Sequence, residues 1–288
     1  MFIVKNIRLP IDRAPSDAFY EAARRAGLPP GKACGAFVYR RALDARRERP
    51  SFVYTIGFPG EMPAGGGPDA SPVAEYVPPS SPVWDESGPR PIVAGFGPAG
   101  IFCAYLLARA GLRPLVLERG ARLEKRRDRV DAFFSGGDLD ESANIQFGEG
   151  GAGTFSDGKL NTAVKDATGR NTFVLKTFVE FGAAEEILWL NKPHIGTGLL
   201  REVIKNIRKE ILRLGGDVRF EAQVTDFEIQ KGQLRALIIN GAERLEYEAA
   251  VLAIGHSARD TFALLKKRQF SMSPKAFAVG VRMEHPQH

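Results

Sequence analysis

The sequence predicts an α/β protein built on a parallel sheet with an attached β-meander and preceded by a small α/β module. Three observations carry that prediction. First, Pro91 to Ala94 is an apolar strand that runs into Gly95-Phe96-Gly97-Pro98-Ala99-Gly100, a G-x-G-x-x-G turn, and an apolar helix follows from Ile101 to Ala110. Second, another strand, Pro114 to Leu117, ends in the acid Glu118. Third, an amphipathic helix is followed by three short strand segments and a returning apolar strand, Ala249 to Gly255. Strand, glycine turn, helix, strand and acid in that order predict a Rossmann-like dinucleotide-binding unit.

From the N-terminus, Met1 to Ile11 reads as a strand. Ser16 to Ala26 reads as a helix, with Ser16 or Asp17 as cap and Gly27 as stop. Lys32 to Arg47 reads as a second helix and Ser51 to Phe58 as a strand, so residues 1–58 form the small basic module. Residues 59–90, with Gly65-Gly66-Gly67 and Pro78-Pro79-Ser80-Ser81-Pro82, have the composition of an extended linker. Residues 91–165 are the first part of the nucleotide-binding domain, and within them Arg119 to Phe134 is a charged helix whose arginines mostly face water. Residues 166–193 read as the start of an inserted substrate domain. Residues 194–260 return to the nucleotide-binding domain. There Leu200, Val203, Ile204, Ile207, Ile211 and Leu214 follow helical spacing and Gly215-Gly216 ends the helix. Val218–Phe220, Val224–Ile229 and Leu234–Ile239 are the strand segments, and Ala249 to Gly255 reads as a buried parallel strand. Residues 261–288 read as an incomplete piece of the substrate domain.

The glycine turn has a physical purpose. Gly95 lets the chain turn off the strand, Gly97 leaves room for a pyrophosphate beside the backbone, and Gly100 lets the helix pack closely on the sheet. The free N–H groups at the helix start, near Pro98 and Ala99, and the positive end of its dipole face the phosphates. Glu118, eighteen residues after Gly100, stands where such a site binds the adenosine ribose hydroxyls, and its charge opposes a 2′-phosphate. The bland alternative is a Gly-rich turn followed by a surface Glu.

Composition narrows the function classes. The net charge of +6 lies in residues 1–50, densest at Arg40, Arg41, Arg46, Arg47 and Arg49. Such a cluster suits nucleic acid or an acidic partner, or it is a solvated face with internal pairs to Asp44 and Glu48. No apolar run approaches a membrane span and Met1-Phe2-Ile3-Val4-Lys5 is too short for a signal peptide, so a cytoplasmic protein is expected. Cys34 and Cys103, the 2 cysteines, form no metal or dithiol motif, and Cys103 reads as a small buried apolar residue. No His, Asp and Glu cluster has metal-ligand spacing.

Taken together, the chain resembles the uncharacterised bacterial FAD-dependent dehydrogenases related to the glutathione-reductase-like flavoproteins. The phrases that carry the resemblance are Gly95 to Gly100, Val116-Leu117-Glu118-Arg119-Gly120, Asn144 to Leu160, Lys192 to Thr197, Leu214-Gly215-Gly216 and Ile254 to Asp260. Leu43 to Arg46 followed by Phe52 to Thr55 also match. The resemblance implies FAD as the carrier of redox chemistry and NAD(P)H as a transient electron donor. It implies that Gly95, Gly97, Pro98, Ala99 and Gly100 surround the pyrophosphate, Glu118 holds the ribose and Arg119 flanks the adenosine. Val224 would meet the adenine through its backbone and Gly255 would pass the dinucleotide. Relatives carry a later Gly-rich segment that closes over the flavin, so the chain is expected to be the N-terminal part of a longer protein.

In the second glycine cluster, Gly148 to Lys159, Gly151, Gly153 and Thr154 are expected around the flavin. Consecutive glycines let backbone N–H groups converge on an anion or a ring carbonyl. Ser156 and Asp157 are further candidates there. Lys159 and His194 are the candidate catalytic side chains, Lys159 as a positive charge near reduced flavin and His194 as a proton donor. A turn-forming loop and a structural histidine are the alternatives. His256 is read as capping the turn after Gly255. Competing functions are a flavoprotein acting on RNA or a protein partner through the basic module, and a non-catalytic nucleotide-binding fragment.

Overall fold

In the computed structural model the described residues are 1–46, 48–79, 90–155, 158–160, 165–247, 249–277, 279–281 and 283–287. The first unit contains β1 (Phe2–Pro10), α1 (Pro15–Arg25), β2 (Phe37–Asp44), β3 (Ser51–Phe58) and β4 (Ala70–Pro72). The strands form an antiparallel sheet in the order β2-β3-β1-β4. One face is covered by α1, whose Ala18, Ala22 and Ala23 pack among Val4, Ile7, Tyr54 and Ile56. Small residues on α1 let the helix lie close to the sheet.

Two expectations for this unit are corrected. The helix starts one residue earlier, at Pro15, with Ala14 at the cap position and no side-chain cap. Pro15 already fixes the first-turn φ and needs no donor there, so neither Ser16 nor Asp17 is required as a cap. The second helix, Lys32 to Arg47, is instead a short 3-10 turn at Pro30–Gly35 followed by β2. Phe37-Val38-Tyr39 favour a pleated surface, and β2 pairs with β3 from Phe37 opposite Gly57 to Asp44 opposite Ser51. The arginines that looked like a solvated helix face lie in and after this strand. Part of the expected linker is also ordered: β4 pairs with β1, and the Val73 N–H bonds the Met1 carbonyl at 3.1 Å.

The second unit runs β5 (Ile92–Ala94), α2 (Pro98–Arg109), β6 (Leu115–Leu117), α3 (Leu123–Phe134), α4 (Arg170–Glu180), α5 (Thr197–Arg213), β7 (Asp217–Arg219), β8 (Val224–Gln230), β9 (Gln233–Ile239), β10 (Glu243–Glu246), β11 (Ala250–Leu252) and α6 (Arg259–Lys267). The parallel sheet has the order β11-β5-β6-β7, and β8, β9 and β10 form an antiparallel meander. Period-two alternation decides what covers each face of the parallel sheet. Val93 and Val116 face a layer containing Ile101 of α2, Phe178 of α4, and Val203 and Ile207 of α5. Ile92, Ala94, Leu115 and Leu117 face Phe227, Leu237 and Ile239 of the meander and Leu265 of α6. Each fully buried side chain of the Ile207 type contributes about 1.5–3 kcal/mol.

The chain is thus an α/β protein with parallel and antiparallel sheets, as the sequence predicts. One detail of burial is corrected. β11 is parallel to β5, as expected, but it is an edge strand, and Val251 and Leu252 are 40% and 38% exposed. Cys103 is half-buried rather than buried, packed against the α2 and α5 layer, and Cys34 is exposed. Among the described residues no helix is long and apolar enough to cross a membrane.

Candidate functional site

A cleft of about 540 Å³ opens at the carboxyl ends of the parallel strands. Ala94, Leu117 and Leu252, the last residues of β5, β6 and β11, form its floor. The chain leaves β5 to build β6 on one side, while β11 returns on the other. Open α/β sheets place ligands at such a reversal of strand order.

The glycine turn builds one wall. Gly95 has φ +104°, and a Cβ there would lie 2.4 Å from the Ala253 carbonyl oxygen. A Cβ on Gly100 would lie 1.9 Å from the Gly95 oxygen, so this glycine is demanded by helix-to-strand packing. Gly97 differs: a Cβ there meets only Gly151 Cα, at 3.8 Å, an ordinary contact. Its open side faces the cleft. The α2 ladder begins with the Ile101 N–H on the Gly97 oxygen at 2.9 Å, so the N–H groups of Ala99 and Gly100 precede it.

Glu118 closes the other end, buried at 4% exposure. Its Oε2 accepts the Phe96 N–H at 2.7 Å, and its Oε1 accepts the N–H groups of Gly120 at 2.8 Å and Gly148 at 3.0 Å. The carboxylate therefore clasps the glycine turn, the start of the α3 connection and the second glycine loop. A carboxylate offers about four acceptor positions, so room for a further donor remains. That double role is not visible in the sequence.

The second glycine loop lies across the first. The Gly150 N–H bonds the Phe96 carbonyl at 2.9 Å, and Gly148, Gly151 and Ala152 line the cleft. Behind the loop stands Arg126 of α3, completely buried. It donates to the carbonyls of Asn144, Ile145, Glu149 and Gly151 and to the Thr154 hydroxyl, all between 2.7 and 3.0 Å. Burial pulls this guanidinium down to about 10, with Glu118 opposing. The expectation that the arginines of this segment face water or phosphate is corrected for Arg126. The signal was present: Leu123, Arg126 and Val130 fall at i, i+3 and i+7, on the buried stripe of the helix. Phe155 next to the loop is held between the guanidinium groups of Arg126 and Arg201, 4.6 and 4.5 Å from its ring centre.

Glu149 anchors the same loop to α5. Its Oε2 accepts from Arg208 at 2.7 Å and from the Leu123 N–H at 2.9 Å, while Oε1 has no partner among the described residues. Burial pushes this carboxyl up, against the pull of the Leu123 N–H and Arg208.

At the outer rim, Arg119 lies over the Phe147 ring at 4.6 Å and donates to Asp260 and to the Thr261 hydroxyl. Burial would raise the Asp260 carboxyl, but Arg119 and the Thr261 N–H hold it below the usual range. Val224 of β8 lines the cleft from the meander, and Gly255 and His256 line it from the turn after β11. The His256 ring sits 3.4 Å from the Ser257 hydroxyl.

The cleft thus brings together Gly95, Gly97, Pro98, Ala99, Glu118, Arg119, Gly151, Val224 and Gly255. Gly100 lies beneath it. Gly153 and Thr154 are outside its lining, and Thr154 is buried with its hydroxyl donating to the Gly151 carbonyl at 2.9 Å. Lys159 and His194 meet each other instead, as exposed partners in a short antiparallel bridge, and neither lines the cleft. Ser156 and Asp157, like Arg47 and His288 elsewhere, lie outside the described residues. Much of the basic cluster is committed internally. Asp44 takes Arg8 and Arg46, Arg40 holds Asn191, and Arg41 stacks between Phe52 and Trp189. Among the described residues no group of three His, Cys, Asp or Glu is arranged for a metal.

No family model matches the chain. It is 51% identical over 203 residues to an uncharacterized protein of Clostridium beijerinckii, an alignment that spans 70% of this chain and 38% of that protein. Among solved structures it is similar to THI4 of Thermovibrio ammonificans, 20% identical with TM-score 0.41, covering 64% of each chain. It is similar also to L-proline dehydrogenase from P. horikoshii, 15% identical with TM-score 0.41, covering 62% of this chain and 56% of that one. Glycine oxidase from Bacillus cereus is 13% identical with TM-score 0.40, covering 63% of this chain and 60% of that one. The functional reading rests on the cleft itself.

Proposed function

We propose that the cleft binds the adenosine diphosphate half of FAD and that the chain belongs to an FAD-dependent oxidoreductase using NAD(P)H as a transient electron donor. The observation that carries this reading is the open side of Gly97, facing a cleft at the start of α2 with Glu118 at its far end. The space at Gly97 and the spare acceptor position on Glu118 fit a pyrophosphate and a ribose hydroxyl. The cleft volume is in the ordinary range for ligand sites. FAD supplies two-electron transfer when bound.

The residues of the chain have simpler tasks. The first-turn N–H groups of α2 neutralise phosphate charge. Glu118 accepts a ribose hydroxyl and repels a 2′-phosphate, which favours FAD over NADP in this cleft. Arg119, held by Asp260 and stacked on Phe147, flanks the adenosine. Gly151 and Ala152 bring loop backbone to the cleft mouth, and Phe262 and Leu265 of α6 exclude water from its apolar side. Lys159 and His194, being exposed, are kept only as candidates for contact with substrate. Calorimetric titration with ADP tests the reading: saturable binding to the parent chain and none to Gly97→Val is expected. Equal binding by both overturns it.

A further inference from the structure

Another cavity, about 1190 Å³, lies between the N-terminal sheet and the segment 166–193. Its walls are rich in aromatic side chains: Phe19, Phe37, Tyr39 and Tyr54 from the first unit and Trp189 from the second. Leu175 of α4 adds an aliphatic surface. The spacing of the two walls is fixed by Arg41. Its N–H bonds the Trp189 carbonyl at 2.7 Å, and its guanidinium is stacked 4.4 Å from the Trp189 ring and 4.9 Å from Phe52.

The charges around the cavity are unequal. Arg40, Arg41, Lys176 and Lys192 line it, against Asp166 and Glu185. Asp166 is already occupied by the start of α4: it accepts the N–H groups of Asn171 and Thr172 and the Thr172 hydroxyl, at 2.8 to 2.9 Å. Lys176 is paired with Glu75 at 3.4 Å, so Arg40, Arg41 and Lys192 face the charged Asp166 and Glu185, and the balance left for an incoming molecule is positive by a single charge. An apolar, ring-accepting interior with a cationic border selects an amphipathic anion.

We propose that this inter-unit cavity is a binding site for a ring-bearing organic anion, whose apolar body lies against Trp189 and the exposed Phe37 and whose acid group meets Arg40 and Lys192. The site is separate from the nucleotide cleft and does not depend on the FAD reading. The 2 tryptophans of the chain make it observable. In the Trp84→Phe background, Trp189 is the sole tryptophan and reports from the wall of the cavity.

The test uses the full chain and 8-anilinonaphthalene-1-sulfonate as probe, with energy transfer from Trp189 as readout. Saturable transfer is expected, reversed by cinnamate but not by the cation cinnamylamine. Lys192→Glu should weaken probe binding at least fivefold, and Leu175→Glu, which sets a like charge on the apolar wall, should weaken it further with the thermal midpoint retained. Should Leu175→Glu fail to fold, the cinnamate and cinnamylamine comparison on the parent decides alone. Saturating ADP should leave the signal unchanged. Absence of saturable transfer, equal competition by the cation, or displacement by ADP overturns the proposal.

Discussion

Glu118 accepts the Gly148 N–H at 3.0 Å, a bond that ties the end of β6 to a glycine loop thirty residues farther along the chain. The same carboxylate holds Phe96 and Gly120. Its loss therefore acts on the shape of the site as well as on any ligand. Glu118→Ala is expected to destabilise the fold by about 3 kcal/mol, because buried N–H donors lose a charged acceptor. ADP affinity should fall by a further 1–3 kcal/mol, roughly. Urea unfolding and calorimetry measure the two losses separately. Unchanged stability with weakened ADP binding would leave Glu118 as a ligand residue alone.

Two of the fingerprint glycines, Gly97 and Gly100, are expected to respond differently to the same change. Gly97→Ala should keep the thermal midpoint within a few degrees, since the added methyl meets only an ordinary contact, yet weaken ADP at least tenfold. Gly100→Ala should unfold the domain or cost about 1–3 kcal/mol or more, because the methyl overlaps the Gly95 oxygen. Thermal melts followed by ADP titration give the comparison.

Arg126→Met should cost about 3–5 kcal/mol, since it leaves buried carbonyls without their donor. Hydrogen exchange should localise the damage, with protection falling across residues 144–155 while β1 to β3 remain protected. Uniform loss of protection would mean that Arg126 supports the whole domain rather than the loop.

The N-terminal unit should be acid-sensitive. Arg24 and Arg25 lower Glu21 to about 2, and Arg46 and Arg8 hold Asp44 well below the usual carboxylate range. Both folded values lie below those of the unfolded chain, so the unfolded state takes up protons first as pH falls. The stabilisation is present above the ordinary carboxylate values near 4 and is lost as pH drops toward 2. Melting temperatures of the parent and Asp44→Asn between pH 6 and pH 2 check it: the parent should lose more than the variant.

The walls of the cleft are legible in the sequence because their key constraints are local. Gly95 to Gly100 and the strand ending in Glu118 specify turn, helix start and acid within one stretch of chain. The inner support was harder to read, since Arg126 reaches carbonyls about twenty residues away and a charged side chain ordinarily faces water. Its place on the stripe of Leu123 and Val130 was the available clue. β2 is hard to read from the sequence because Arg40, Arg41 and Arg46 mask the β-forming Phe37-Val38-Tyr39, and strand pairing with β3 is a non-local decision. The loop that contains Thr154 suggests a place at the ligand, but its hydroxyl turns inward to Arg126 and the Gly151 carbonyl.

Arg41 and Trp189 are joined both by a backbone bond and by stacking, and Tyr76 packs edge-on against Phe173 at 5.2 Å. The two sides of the stretch 80–89 therefore meet through space as well as through covalent connection. A chain cut once in that stretch is therefore expected to travel as one body under native conditions and as two fragments once denatured.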